Sequence, residues 1–210
     1  SGRLGILKCL FAVGSRWDES TTLNAAYHGQ LECLRFLHEN GCPWNRSAPA
    51  HAALRGHSDC LEYLYENHCP WDSLTTASAA ERNNLQMIQY AHERGCPISS
   101  TVYRWAARYG NIGMMQYAHD NSVDWEYLRL VTIVEAARSG SLECLMFAHQ
   151  VGCPIEAEHA HYAAAGGHLT CLQYVLQNVD LPAGEIHNHN VGGTCAAAAE
   201  HGHLDCLVCL

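Results

Sequence analysis

An all-α solenoid of stacked helix pairs is the fold this sequence predicts, and three observations predict it. A seven-residue phrase recurs: "ENGCPWN" at 39–45, "ENHCPWD" at 66–72, "ERGCPIS" at 93–99 and "QVGCPIE" at 150–156. The chain also repeats as a whole, with units starting at 2, 29, 56, 83, 110, 140, 167 and 202. Five of those seven intervals are 27 residues, which is too long for one hairpin and suits one supersecondary unit per repeat. An Ala pair recurs in the same frame, at 25–26, 52–53, 79–80, 106–107, 136–137, 163–164 and 198–199.

Each unit carries two helical phrases. The array opens on a second phrase, within "GRLGILKCLFAVG" at 2–14, and alternates from there. First phrases are short and Ala-rich, as in "APAHAALR" and "TTASAAER". Ala has the highest helix propensity, and its small side chain lets a neighbouring helix approach closely. Second phrases place apolar residues at helical spacing: Leu31, Leu34 and Leu37, widened by Cys33 and Phe36. So broad a stripe suits a helix covered on two sides, by its own partner and by the next unit.

The punctuation follows the same period. A Gly, or Asn83 in one unit, starts each repeat, where a tight helix–helix turn needs a left-handed residue. Gly14, Gly41, Gly95 and Gly152 follow second phrases, where helices stop. The Pro of Gly-Cys-Pro then forbids continuation. Two units depart. The 110–139 unit has lost Gly-Cys-Pro and gained three residues, and the 167–201 unit has gained eight, at "VDLPAGEIHNHNVGGT" (179–194). Such insertions map to loops on one face and often to contacts.

"GQLECLRFLHENG" (29–41), "GHLTCLQYVLQN" (167–178) and "GHLDCLVCL" (202–210) resemble the second helix of ankyrin repeats, and the Ala pair resembles the end of their first helix. The resemblance covers essentially the whole chain, as about seven and a half units in a single domain spanning 1–210. It departs from the family in length, since an ankyrin unit runs to about 33 residues and opens with Thr-Pro-Leu-His. Here that phrase is absent, and the missing residues fall where the family builds its β-hairpin. The expectation is therefore an ankyrin-like helical-repeat solenoid with reduced or absent β-hairpins. Trp17, Trp44, Trp71 and Trp125, replaced by Ile98 and Ile155 in two units, are expected to fill the core space that the trimmed hairpin leaves. A solvent-facing aromatic ladder for ligands is the alternative. The array stops inside a helix, and neither end carries a polar capping unit, so it is expected to be part of a longer chain, or else to dock its ends on something.

Composition bounds the function. The net charge of −9 disfavours nucleic acid and anionic membranes as general partners. No window approaches about 18 consecutive apolar residues, so no membrane insertion is expected. Twelve cysteines mostly lie in apolar helical patterns. They read as reduced thiols in an intracellular, cytoplasmic protein. Cys42, Cys69 and Cys96 occupy equivalent places in successive units, about 8–10 Å apart, too far for a shared metal or a disulfide. Cys206 and Cys209 form a CxxC, but Cys206 shares a core position with Cys33, Cys60, Cys144 and Cys171. Three His-x-His pairs (159/161, 187/189 and 201/203) lack third and fourth ligands at metal-site spacing. His38, His92, His119 and His149 recur at one place and mark a surface or packing position. No phosphate loop, nucleophile elbow or HExxH is present. The expectation is no enzyme, no metal and no cofactor.

Solenoids bind through a face built from equivalent positions. The resemblance implies that the residues just after each Ala pair face the concave surface. Tyr27, His28, Arg55, Arg82, Arg108, Tyr109 and Arg138 stand there, a candidate surface for another protein with an acidic or phosphorylated segment. Ordinary solvated helix ends would show the same arginines. The expected function is a non-catalytic protein–protein interaction scaffold. An adaptor or structural subunit of a larger assembly, such as a ubiquitin-ligase substrate receptor, is the alternative, and a metal- or redox-sensing protein is the weakest.

Overall fold

A computed structural model describes residues 2–179 and 191–210. Among them are fifteen α-helices, one short 3-10 turn and no strand. The chain divides into two compact units, 1–99 and 100–210.

In the first unit, α1 (Gly2–Ala12), α3 (Leu31–Glu39), α5 (Ser58–Glu66) and α7 (Leu85–Glu93) are second helices, and α2 (Glu19–Tyr27), α4 (Ser47–Arg55) and α6 (Ser73–Glu81) are first helices. Each first helix packs on the second helix that follows it, and α2 packs on α4 and α4 on α6. The first helices pack most extensively, because Ala26, Ala52, Ala53, Ala79 and Ala80 are fully buried between them and hold nothing apart. The wider second-helix layer is filled by Leu34, Leu37, Leu61, Leu64 and Ile88, each at most 1% exposed.

The second unit repeats this scheme. Its first helices are α8 (Thr101–Tyr109), α10 (Arg129–Ser139), α12 (Glu158–Ala165) and α14 (Val191–Glu200). Its second helices are α9 (Ile112–Asp120), α11 (Leu142–Gln150), α13 (Leu169–Asn178) and α15 (Leu204–Cys209). Met114, Met115, Ile133, Leu145 and Leu172 are fully buried. The three extra residues after Gly110 are absorbed by the 3-10 turn Glu126–Leu128 and by α10, two residues longer than most helices of the stack. Most of the 179–194 insertion, His187 and His189 included, lies outside the described residues.

The turns behave as their residues require. Gly29 and Asn83, at unit starts, have φ of 63° and 56°, both left-handed. Where the second-helix stop lacks Gly, His68 and Ser122 take the same conformation at 59° and 55°. The Cys of each stop reaches back to the repeat before it. Cys42 donates its S–H to the carbonyl of Asp18 (3.4 Å), Cys69 to Asn45 (3.5 Å) and Cys96 to Asp72 (3.2 Å). Thr22 and Thr76 donate to the carbonyls of Pro43 (2.7 Å) and Pro97 (2.9 Å). The stop phrase thus ties the end of each of these second helices to the start of the first helix before it, at the carbonyls of Asp18, Asn45 and Asp72, which also accept the N–H of Thr21, Ala48 and Thr75.

The tryptophans correct one expectation. Trp17, Trp44, Trp71 and Trp125 are half-buried rather than core. Trp44 stacks on His38 at 4.0 Å, Trp71 on Tyr65 at 4.9 Å and Trp125 on Tyr103 at 4.8 Å. Of the two replacements, Ile155 is buried and Ile98 half-buried. These three indoles thus lie nearly parallel to a ring of a neighbouring helix and stay partly exposed.

Candidate functional site

The candidate surface lies where first helices end. Two demands meet there. The last carbonyls of each helix need donors, and an Arg near a helix C-terminus is favoured by the dipole.

In the first unit, Tyr27 is the last residue of α2 and half-buried, while His28 and Arg55 are exposed. The Arg55 guanidinium lies 4.8 Å from the centre of the Tyr27 ring, and His28 and His51 approach the same ring at 5.0 and 5.9 Å. Arg82 is exposed at the end of α6, but its Nε donates to the carbonyl of Leu54 at 2.8 Å. It therefore caps α4 as well as standing on the surface. His57 performs the same capping one repeat earlier, its Nε2 lying 3.2 Å from the carbonyl of Tyr27.

In the second unit, Arg108 and Tyr109 are exposed at the end of α8. Trp105, one turn earlier, stacks on Tyr109 at 5.9 Å and is flanked by the guanidiniums of Arg104 at 5.6 Å and Arg108 at 5.5 Å. Arg104 also pairs with the buried Glu135 at 3.7 Å. Arg138 is exposed and lies over the Tyr162 ring at 5.1 Å. The carbonyls beneath are capped from the next repeat, by His168 on Arg138 (3.1 Å) and by Ser139 on Ala107 (2.7 Å).

The structure therefore brings Tyr27, His28 and Arg55 together in one unit, and Arg108 and Tyr109 together in the other. Among the described residues, Arg55, Arg108 and Arg138 meet no carboxylate. His51 joins the cluster in the first unit, and Arg104, Trp105 and Tyr162 join those in the second; all four were missed by reading only the residues after the Ala pair. The signal was available one helical turn back, because residues three and four apart share a helix face.

Several of the remaining chemistry-bearing residues have packing roles. Among the described residues no three or more His, Cys, Asp or Glu side chains group to hold a metal ion. His159 is fully buried, whereas His161 points to the Gly193 carbonyl at 3.3 Å, so that pair does not converge. His38 and His149 hydrogen-bond the hydroxyls of Tyr63 (2.9 Å) and Tyr174 (2.8 Å) in the following repeat, a packing role. Burial pushes the thiols of Cys60 and Cys69 up to about 12 and those of Cys96 and Cys171 up to about 11. Thiols so raised are poor nucleophiles at neutral pH.

Stacked helix pairs with capped first-helix ends, repeated along the chain, define a helical-repeat protein. Residues 23–65 match the sequence profile of ankyrin repeats (many copies). The fold is similar to the crystal structure of the human ASB11 ankyrin repeat domain, with a TM-score of 0.64 at 17% identity. That similarity spans 89% of this chain and 96% of the human one. No curated protein sequence matches the chain. The chain has the fold of an ankyrin repeat domain, and its residues 23–65 match the ankyrin-repeat profile. Ankyrin repeats are in general protein–protein interaction modules, and the fold is typically non-enzymatic. No helix among the described residues is long and apolar enough to cross a membrane.

Proposed function

We propose that this chain is a non-catalytic interaction scaffold that holds an acidic or phosphorylated segment of a partner protein on the ends of its first helices. Tyr27, His28, Arg55 and Arg82 supply the contacts in one unit, and Arg108, Tyr109 and Arg138 in the other. The observation that carries the reading is the trio Arg55, Arg108 and Arg138. Each is exposed, pre-oriented over an aromatic ring and without a carboxylate partner among the described residues. A guanidinium stacked this way loses less freedom on binding, and its fork of N–H donors matches a carboxylate or phosphate.

The test starts from the partner recovered by pulldown from the native source and identified by mass spectrometry. Arg55, Arg82, Arg108 and Arg138 are then changed to Ser together. Binding should weaken at least tenfold, as expected if two exposed charge contacts are lost at roughly 1 kcal/mol each, and the wild-type affinity should fall with salt. Affinity that is unchanged in the quadruple variant and flat with salt removes this surface.

A further inference from the structure

The first unit holds a cavity of about 410 Å³ where α1, α2 and α3 meet. One wall is a face of α2 that includes Asn24, Ala25 and His28, the floor includes Leu7 and Cys33, and Gln30 stands at one end. Each of these positions has an equivalent 27 residues later, and there the space is filled by α2 itself. His51 and Arg55, the equivalents of Asn24 and His28, lie against the Tyr27 ring of α2 at 5.9 and 4.8 Å. His57, the equivalent of Gln30, reaches the carbonyl of Tyr27 at 3.2 Å. Leu34, Ala52 and Cys60, the equivalents of Leu7, Ala25 and Cys33, are fully buried, whereas Cys33 is half-buried. The cavity therefore has the lining of a first-helix seat, one repeat before the seat that α2 occupies.

The occupant follows from what fills such seats elsewhere in the unit. α2, α4 and α6 each bring an Ala pair, and Ala26, Ala53 and Ala80 are fully buried. Side chains this small let two helix backbones approach closely. Each seated helix also ends on donors from the next repeat, as Tyr27 does on His57 and Leu54 on Arg82. The cavity offers the same two features. Ala25 presents no bulk to a helix laid beside α2. Gln30 is the donor at its end, its amide now turned back onto the carbonyl of His28 at 3.0 Å. Arg3 also lines the cavity, is exposed, and meets no carboxylate among the described residues. A helix C-terminus has orphaned carbonyls and the negative end of the dipole, which is what a cation and an amide N–H complement. These groups fix which way the helix points.

We propose that the α1–α2–α3 end of the first unit docks one α-helix of a partner, running in the same direction as α2, with an Ala pair against Ala25 and Cys33 and its last carbonyls on Gln30 and Arg3. The helix is held by its small face and its backbone end, so this surface asks for no acidic or phosphorylated side chain, and its test does not depend on the arginines of the first-helix ends.

The probe is a copy of residues 44–55, the α4 segment, whose Arg55 precedes Gly56 as a seated helix would precede Gly2. A helix this short is marginal alone in water, so it is used in two forms. One is joined to the full chain ahead of Gly2 in place of Ser1, which raises its effective concentration. The other is a free peptide, acetylated and amidated, titrated into the unmodified chain. The readout is the alkylation rate of Cys33 by mass spectrometry, with Cys195 and Cys209, half-buried in the other unit, as internal references. The joined helix should slow Cys33 at least tenfold and leave both references unchanged, and the free peptide should slow it saturably. Gln30→Ala should weaken protection by the peptide several-fold with the urea midpoint near wild type. A probe carrying Ala52→Leu and Ala53→Leu should protect in neither form. The proposal fails if neither form slows Cys33, or if the Leu probe protects as well, which would mean a non-specific apolar cover. It also fails if Cys33 becomes protected in the chain alone as its concentration rises, which would make a second copy the occupant.

Discussion

A Cβ built on Gly29 would lie 2.5 Å from Nδ1 of His57, while one built on Gly56 meets nothing within 4 Å. Both glycines are left-handed, with φ of 63° and 76°. Gly56→Ala should therefore cost only the backbone strain, about 1–2 kcal/mol. Gly29→Ala should cost more, because His57 must leave and its hydrogen bond to Tyr27, worth about 0.5–1.5 kcal/mol, goes with it. Urea midpoints of the two variants measure the difference. Adding His57→Ala should then make little further change in the Gly29→Ala background, and equal, additive costs would refute the contact. His159 offers a second residue-scale prediction. Its Nδ1 accepts the N–H of Glu156 at 2.9 Å, so a neutral ring carries its proton on Nε2, which is buried without a partner. Burial lowers its pKa below the ordinary 6.5, against the opposing pull of Glu158 and Glu156. The unfolded chain thus takes up this proton before the folded one. The stability this ring contributes is present above about 6.5 and is lost as pH falls from there through the folded pKa. Midpoints measured from neutral to mildly acid pH should fall in the wild type and fall less in His159→Leu. Parallel profiles would assign the acid sensitivity elsewhere.

At the scale of the element, the second-helix stop sets a left-handed residue after α1, α3, α5, α7, α9 and α11, and the chain does not always supply Gly; α13 ends instead on Val179, at φ −75°. Ser122 is held at φ 55°, a conformation that costs an L residue about 1–2 kcal/mol. Gly would recover that and give back about 0.5–1 kcal/mol of backbone entropy. Ser122→Gly should raise stability by up to about 1 kcal/mol, read as a higher urea midpoint at unchanged slope. Gly95, at φ 86° with nothing within 4 Å of a built Cβ, gives the reciprocal: Gly95→Ser should lose a similar amount, and a neutral outcome for both would show that the loops relax around the residue. These stops were legible in the sequence because a left-handed turn is a local demand that a single residue type answers. So was the pairing of helices, since Ala pairs and apolar stripes recur at one period. The half-buried tryptophans were not legible. Whether an indole enters a core depends on the width of the gap between turns, a distance no spacing in the chain records. Trp105 and Tyr162 escaped for a related reason. Their place beside Arg108 and Arg138 comes from the facing of neighbouring helices, whereas the candidate positions were read only forward from the Ala pair.

At the scale of the molecule, the question is how far cooperativity runs. In a repeat array, stability is nearly a sum of unit and nearest-neighbour terms, so the weakest junction decides whether the chain opens in one step or two. The structure falls into units 1–99 and 100–210. The repeat frame nevertheless crosses that division unbroken, with the Ala pair at 79–80 and again at 106–107 after one further 27-residue step. We propose that residues 1–210 form one repeat domain that unfolds as a single cooperative body. Hydrogen exchange at rising urea then has a definite expectation. Amides of α4 and α12, whose Ala52, Ala53, Ala163 and Ala164 are all fully buried, should lose protection at the same denaturant concentration. Gly29→Ala, a lesion in the first unit, should shift both together, because a chain coupled by nearest-neighbour terms stronger than the differences between its units unfolds from either end as a whole. Loss of protection in α4 while α12 stays closed would make the two units independent domains. The surfaces proposed for partner binding would then act on separately folding bodies.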